Sequence, residues 1–307
     1  MRQTETIFVG VVALLVTIGG PVVLGLTGAI RDRRSRGSVT LDASPRDWRL
    51  TINSALLYCF AFNLVFFIQE LFLVVPKALT PGLRPTLFHN NHHWEGANPL
   101  ASLFQGTGAL AILLTAGAFA VWLTRFPPRS TTLRLFVIWM TFHGFFQSLP
   151  QVVVGAILPQ NDVGMAMDFL RFTPAAKASA ALVALAAIVI LAIWLIPPLL
   201  ELAQHSEDLD SVVRRTRFVS RVATIPALAA IPLIILFRVP GTIDQVVIVP
   251  VAVTVIGISW IQAVAWRVTT ARIGHASPAR SIRYPCVAVV ALFLVFQLIL
   301  RPGINFF

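Results

Sequence analysis

A chain of 307 residues that is 57% hydrophobic and 12% charged, with mean hydropathy +0.81, carries more apolar surface than one or two water-soluble domains can bury. That excludes a soluble protein and places the chain in a bilayer. A net charge of +11 and a pI near 11.4 would suggest nucleic acid in a soluble protein; here the basic residues fall in connectors, where anionic lipids meet them, so membrane lipids are the expected partners and nucleic acid is not.

A spanning helix needs about 20 mostly apolar residues to cross roughly 30 Å of hydrocarbon, with its backbone polar groups satisfied internally. Eight stretches qualify, at 7–30, 50–78, 100–124, 133–158, 176–200, 218–238, 243–266 and 284–300. The expected fold is an all-α, polytopic helical bundle forming a single transmembrane domain over 1–307, with no internal repeat and no loop long enough to fold separately. The first stretch is longer than a signal-peptide core, follows Glu5 and precedes "RDRRSR", so it reads as a retained helix entering from outside.

Four alternate connectors collect the arginines. The first holds Arg31, Arg33, Arg34, Arg36, Arg46 and Arg49, and the second Arg125, Arg129 and Arg134. The third holds Arg214, Arg215, Arg217 and Arg221, and the fourth Arg267, Arg272, Arg280 and Arg283. Together they carry 17 of the 24 lysines and arginines. Because short basic loops are retained in the cytoplasm, these connectors face inward and both termini lie outside, in what reads as the cytoplasmic membrane of a prokaryote.

The second stretch carries Glu70, in "FFIQELF", the only acid well inside a predicted span, Asp244 standing at the edge of 243–266. Asn63, seven residues earlier, shares its helix face, and Gln69 lies beside it. Cys59 reads as a small apolar residue, and so does Cys286 near the last span; there is no CxxC. The connector 79–99 follows on the outer side. Its segment "FHNNHHWEG", 88–96, holds three of the six histidines, and its prolines and glycines forbid a long helix. Leu83, Leu87, Phe88 and Trp94 suggest a re-entrant loop that delivers His89, His92 or His93 onto the bundle. His89 and His92 are i and i+3, and His89 and His93 are i and i+4, so either pair fits one helical turn. Lys77 and Arg84 lie at the same mouth. They suit an anionic headgroup or carboxylate, Arg84 as a substrate contact, or else mark the interface by snorkelling.

The fourth stretch holds His143, the only intramembrane histidine, with Gln147 and Gln151 at i+4 and i+8 on one stripe. Two polar stripes in hydrocarbon are expected to face each other or a wet cavity. Ionisable groups inside spans are functional candidates, so Glu70, two or three of His89, His92 and His93, and His143 form an N/O ligand set for a divalent metal, zinc first, with iron or manganese accepting the same atoms and Glu70 also the expected catalytic acid or base. Asn63, Asn90, Asn91, Gln147 and Gln151 are the expected supporting hydrogen-bond partners. After this span, "LPQNDVGMAMDF" places Asp162 where a helix N-cap is expected, with a role as acid or base in reserve, and adds Asp168.

The later spans read as scaffold. The segment 202–217 suits a short surface helix with acids first and arginines last. His205 and His275 read as solvated connector residues, and the pairs Ser259/Gln262 and Gln297/Arg301 as helix-to-helix bonding or end anchoring. The resulting expectation is a metal-dependent membrane hydrolase acting on a lipid or membrane-near amide or ester at the outer face, although no HExxH occurs. The alternatives are a proton- or cation-coupled transporter using Glu70 and His143, or a non-catalytic, cofactor-binding subunit with partner membrane subunits.

Overall fold

The apolar stretches are helical in the computed structural model, which describes residues 3–35, 48–268, 277 and 281–307, the side chains of 3 and 32–35 excepted. The side chains of Arg33 and Arg34, and residues Arg36, Arg46, Arg272, His275 and Arg280, lie outside that description. Seven helices are long and apolar enough to cross a membrane: α1 (Thr4–Arg31), α2 (Trp48–Ala78), α3 (Leu100–Arg125), α6 (Pro174–Leu200), α7 (Val212–Arg238), α8 (Asp244–Arg267) and α9 (Arg283–Leu300). Between α3 and α6 lie α4 (Thr131–Ile157) and the short α5 (Asp162–Phe169). The strands are β1 (Arg84–Leu87), β2 (His92–Glu95) and β3 (Ile304–Asn305), in the order β2-β1-β3. The chain is thus an all-α, multi-pass membrane bundle.

Helix α4 is not among the seven, because His143, Gln147, Ser148 and Gln151 dilute its apolar character. Chain parity shows that it crosses nonetheless. β3 pairs with β1, so the last residues lie at the same end as the connector after α2. An even number of crossings separates them, and α3, α6, α7, α8 and α9 supply only five. Helix α4 supplies the sixth. It is also the centre of the bundle: Leu135, Val137, Ile138, Trp139, Phe142 and His143 have no exposed surface. A helix enclosed by protein can carry polar groups that a lipid-facing one cannot.

Prolines shape four of the helices. Wide π turns at Leu15–Gly19, Ser220–Thr224, Asp244–Ile248 and Val295–Leu300 each end two residues before a proline: Pro21, Pro226, Pro250 and Pro302. The proline ring crowds the carbonyl four residues back. The preceding N–H then reaches five residues back instead, as Gly20 does to Leu15 and Ile225 to Ser220.

The described parts of the basic connectors lie at the end opposite the strands. Ser277 pairs with the segment before α4, accepting from Thr131 N–H at 3.3 Å and donating to Arg129 at 2.8 Å. Arg134 pairs with Glu201 at the end of α6. The surface helix expected at 202–217 is instead the start of α7, which begins at Val212 with Ser211 accepting from Arg214 N–H as its cap. The acids precede that helix: Asp208 pairs with Arg221 and Asp210 with Arg214. His205 is exposed there, as expected. Cys59 is buried and Cys286 exposed, and neither forms a disulfide.

Candidate functional site

The connector after α2 is a β-hairpin, not the helical turn that the spacing of His89, His92 and His93 allowed. β1 and β2 pair antiparallel from Arg84↔Glu95 to Leu87↔His92, and Phe88 N–H donates to Asn91 C=O at 2.9 Å across the turn. At the base, Gly96 has φ +96°, and a Cβ there would lie 1.9 Å from the Gly82 carbonyl oxygen, so glycine is required. Side chains alternate along a strand. His92 and Trp94 therefore turn into the bundle, while His93 and Glu95 are exposed. Strand periodicity, not helix periodicity, selects the working histidine.

His92 lands between two groups of α2. Its Nδ1 lies 2.9 Å from Glu70 Oε2, with the two side chains only 8% and 7% exposed. Its Nε2 faces Gln105 Oε1 at 3.0 Å and Lys77 Nζ at 3.3 Å. Lys77 is fully buried, two turns beyond Glu70 on the same face of α2. Its ammonium donates to Leu73 C=O at 2.9 Å and Gln105 Oε1 at 2.8 Å, and lies 4.6 Å from the Trp94 ring centre. Gln105 reaches this point because α3 packs tightly on α2: a Cβ on Gly108 would meet Leu73 Cγ at 2.7 Å and Gln69 O at 2.8 Å. The three ammonium protons meet three acceptors in the tautomer in which His92 donates Nδ1–H to Glu70. Moving one proton from Lys77 to His92 Nε2 gives an imidazolium flanked by Glu70 and Gln105 Oε1, again fully partnered. Carboxylate, imidazole and amine form one continuous path for a proton.

Asp162 lies in the electrostatic field of Glu70, His92 and Lys77. It is the first residue of α5, not its cap; Asn161 holds the cap position. Its carboxyl is held above the ordinary carboxylate range by burial first and by Glu70 second, with His92 and Lys77 opposing. The folded protein therefore binds this proton more tightly than the unfolded chain. Its contribution to stability is complete below the unfolded value of about 3.9 and is lost as pH rises through the folded value. Asp162→Asn is accordingly expected to raise Tm at pH 7, with the gain vanishing at pH 4; thermal melts in detergent at the two pH values check this.

The polar stripes of α2 and α4 do face each other: Gln151 Nε2 donates to Gln69 Oε1 at 2.7 Å and Gln147 Nε2 to Phe62 C=O at 3.2 Å. His143 continues that stripe inward, but it sits in an aromatic cage with Tyr58 at 4.3 Å, Phe142 at 5.1 Å and Phe62 at 5.2 Å between ring centres. The expected metal set is therefore not assembled. His92 enters the site, His93 faces outward, His143 lies two turns along α4 from Gln151, and His89 is buried beside the turn after α7. Among the described residues, no three His, Cys, Asp or Glu side chains are grouped to hold one ion. The His89 imidazole is held below its ordinary range, by burial first.

The other expected partners have different duties. Asn90 donates to the carbonyls of Arg238 at 3.3 Å and Pro240 at 3.1 Å, fastening the hairpin tip to the α7–α8 turn. Asn91 is exposed. Asn63 turns back on its own helix to Cys59 C=O at 2.9 Å, away from Glu70. Arg84 opens β1 with its side chain exposed, 5.9 Å from the Phe307 ring centre, and not at the site. Asp168 pairs with Lys177. The sequence reading placed Lys77 at the mouth as an anion contact or interface marker, and passed over Gln105 and Arg238. The last is fully enclosed, its guanidinium 3.8 Å from the Phe66 ring centre and within the field of Glu70. The seven-residue step from Glu70 to Lys77, and an amide five residues into a span, were the available signals.

No protein-family model, no curated protein and no solved structure matches the chain.

Proposed function

We propose that the chain is a proton-coupled transport protein whose working site is the buried path Glu70–His92–Lys77, supported by Gln105 and Asp162. The observation that carries this reading is that both nitrogens of His92 have partners in either proton arrangement. Lys77 can give a proton to Nε2 while Nδ1–H passes to Glu70 Oε2. One N–H bond breaks and one forms at the imidazole, which changes tautomer and stays neutral. The net event moves a proton from amine to carboxylate and cancels two buried charges at once, an outcome that a low-dielectric surrounding favours.

Enclosure supports transport over hydrolysis. Protons pass along hydrogen bonds that a lipid or amide substrate could not enter without displacing the hairpin. The zinc hydrolase expected from the histidine-rich connector needs convergent ligands, and the four histidines occupy four different surroundings. Inward from Glu70, the amides Gln69, Gln151 and Gln147 lead toward His143. By retention of arginines on the cytoplasmic side, the site opens outward from the cytoplasmic membrane of a prokaryote.

His92 and His93 provide the test, being adjacent in sequence and opposite in facing. In vesicles with a trapped pH indicator, His92→Ala is expected to lower proton flux about a hundredfold, the usual weight of one positioned acid–base group. His93→Ala is expected to leave it within about twofold of wild type, the scale of a surface change of ±0.5 kcal/mol or less. Equal effects of the two substitutions would sink the proposal.

A further inference from the structure

We infer that the arginine-rich end of the bundle holds one anionic phospholipid, its tail in a cleft between α1 and α8. The cleft measures ≈ 570 Å³ and is lined along α1 by Pro21 to Ala29, a run of about 12 Å, and on the other side by Val255, Ser259, Gln262 and Trp266. Its hollow comes from missing side chains: a Cβ on Gly25 would meet nothing within 4 Å. The helices are held together next to it, where a Cβ on Gly28 would strike Trp266 Cδ1 at 2.5 Å and Trp266 Nε1 donates to Leu24 C=O at 3.1 Å.

The lining selects an apolar occupant. Its polar members are already bonded to protein: Thr216 to Val212 C=O at 2.9 Å, Thr224 to Gln262 Oε1 at 2.6 Å, Gln262 Nε2 to Thr216 C=O at 3.4 Å, and Ser259 to Val255 C=O. Each of these polar side chains already has a protein partner, whereas a methylene chain loses nothing by entering. The mouth selects the headgroup. Arg31 lies over Trp266 with its guanidinium 5.6 Å from the ring centre, and exposed Arg267 and Arg217 follow Trp266 and Thr216 in the chain. Basic groups beside a cleft between spanning helices on the cytoplasmic side suit an anionic lipid phosphate. The site is separate from Glu70 and His92, at the opposite end of the membrane.

Native mass spectrometry of the full chain released from detergent, after exchange into phosphatidylglycerol or phosphatidylcholine, tests this. Wild type is expected to retain one phosphatidylglycerol per chain in preference to phosphatidylcholine. Gly25→Phe fills the hollow and should lower that occupancy by about tenfold. Gly10→Phe, equally uncrowded on the same helix, should not. Arg31→Gln/Arg267→Gln should keep a bound lipid but abolish the preference for phosphatidylglycerol. Equal retention in wild type and Gly25→Phe, or no preference in wild type, overturns the inference. So does a dimer that Gly25→Phe converts to monomer, since a second copy would then be the occupant.

Discussion

Glu70→Gln is expected to stop proton movement through the protein while leaving its helical content unchanged. Glutamine has the shape of glutamate, so packing around α2 is kept. Its amide still bonds to His92 Nδ1, but it cannot take up the proton that the imidazole passes on. The carboxylate–imidazole bond at 2.9 Å is charge-assisted, and losing that charge removes about 1.5–3 kcal/mol of interaction. Flux in proteoliposomes should fall by about 10²–10⁴, the range for loss of a positioned acid–base group. Unchanged flux would assign the proton to another carboxyl.

Lys77→Met is expected to give the largest loss of stability. Methionine fills the space of the lysine stem but leaves the Gln105 and Leu73 oxygens without their donor, and Glu70 without its opposing charge. Breaking a buried pair by removing one partner costs about 3–5 kcal/mol, which for a chain of this size lowers Tm by about 10 °C. The double variant Glu70→Gln/Lys77→Met removes both charges. Its loss should be smaller than the sum of the single losses by about 1–3 kcal/mol, the signature of groups that share one network. Additive losses would mean that the two groups do not communicate through His92.

The spans and their polar stripes were legible in the sequence because hydrocarbon makes polarity expensive. Every residue of the His143, Gln147, Gln151 stripe had to face protein, and the Gln151–Gln69 bond is the meeting that this constraint demands. The hairpin was not legible. The histidines within 79–99 were read for helical spacing, while the antiparallel pairing of β1 with β2 governs them, and β3, more than two hundred residues later, pairs with the other edge of β1. Once β1 and β2 pair, adjacent His92 and His93 part to opposite faces. Lys77 was read as an interface marker because it sits at the end of its span; the hairpin covers that end and turns an interfacial lysine into a buried one. His143 looked like a ligand because it stands alone in a membrane helix. Its neighbour in sequence, Phe142, gave the better signal, since aromatic rings surround it.

Proton uptake by proteoliposomes of the wild-type chain, driven by an inside-negative potassium diffusion potential and read by a trapped pH indicator, tests the central claim most directly. The Glu70–His92–Lys77 path predicts lumenal acidification well above that of protein-free vesicles, lost in the Glu70→Gln variant measured alongside. A lumenal pH that follows protein-free vesicles, or acidification that Glu70→Gln leaves intact, would contradict it.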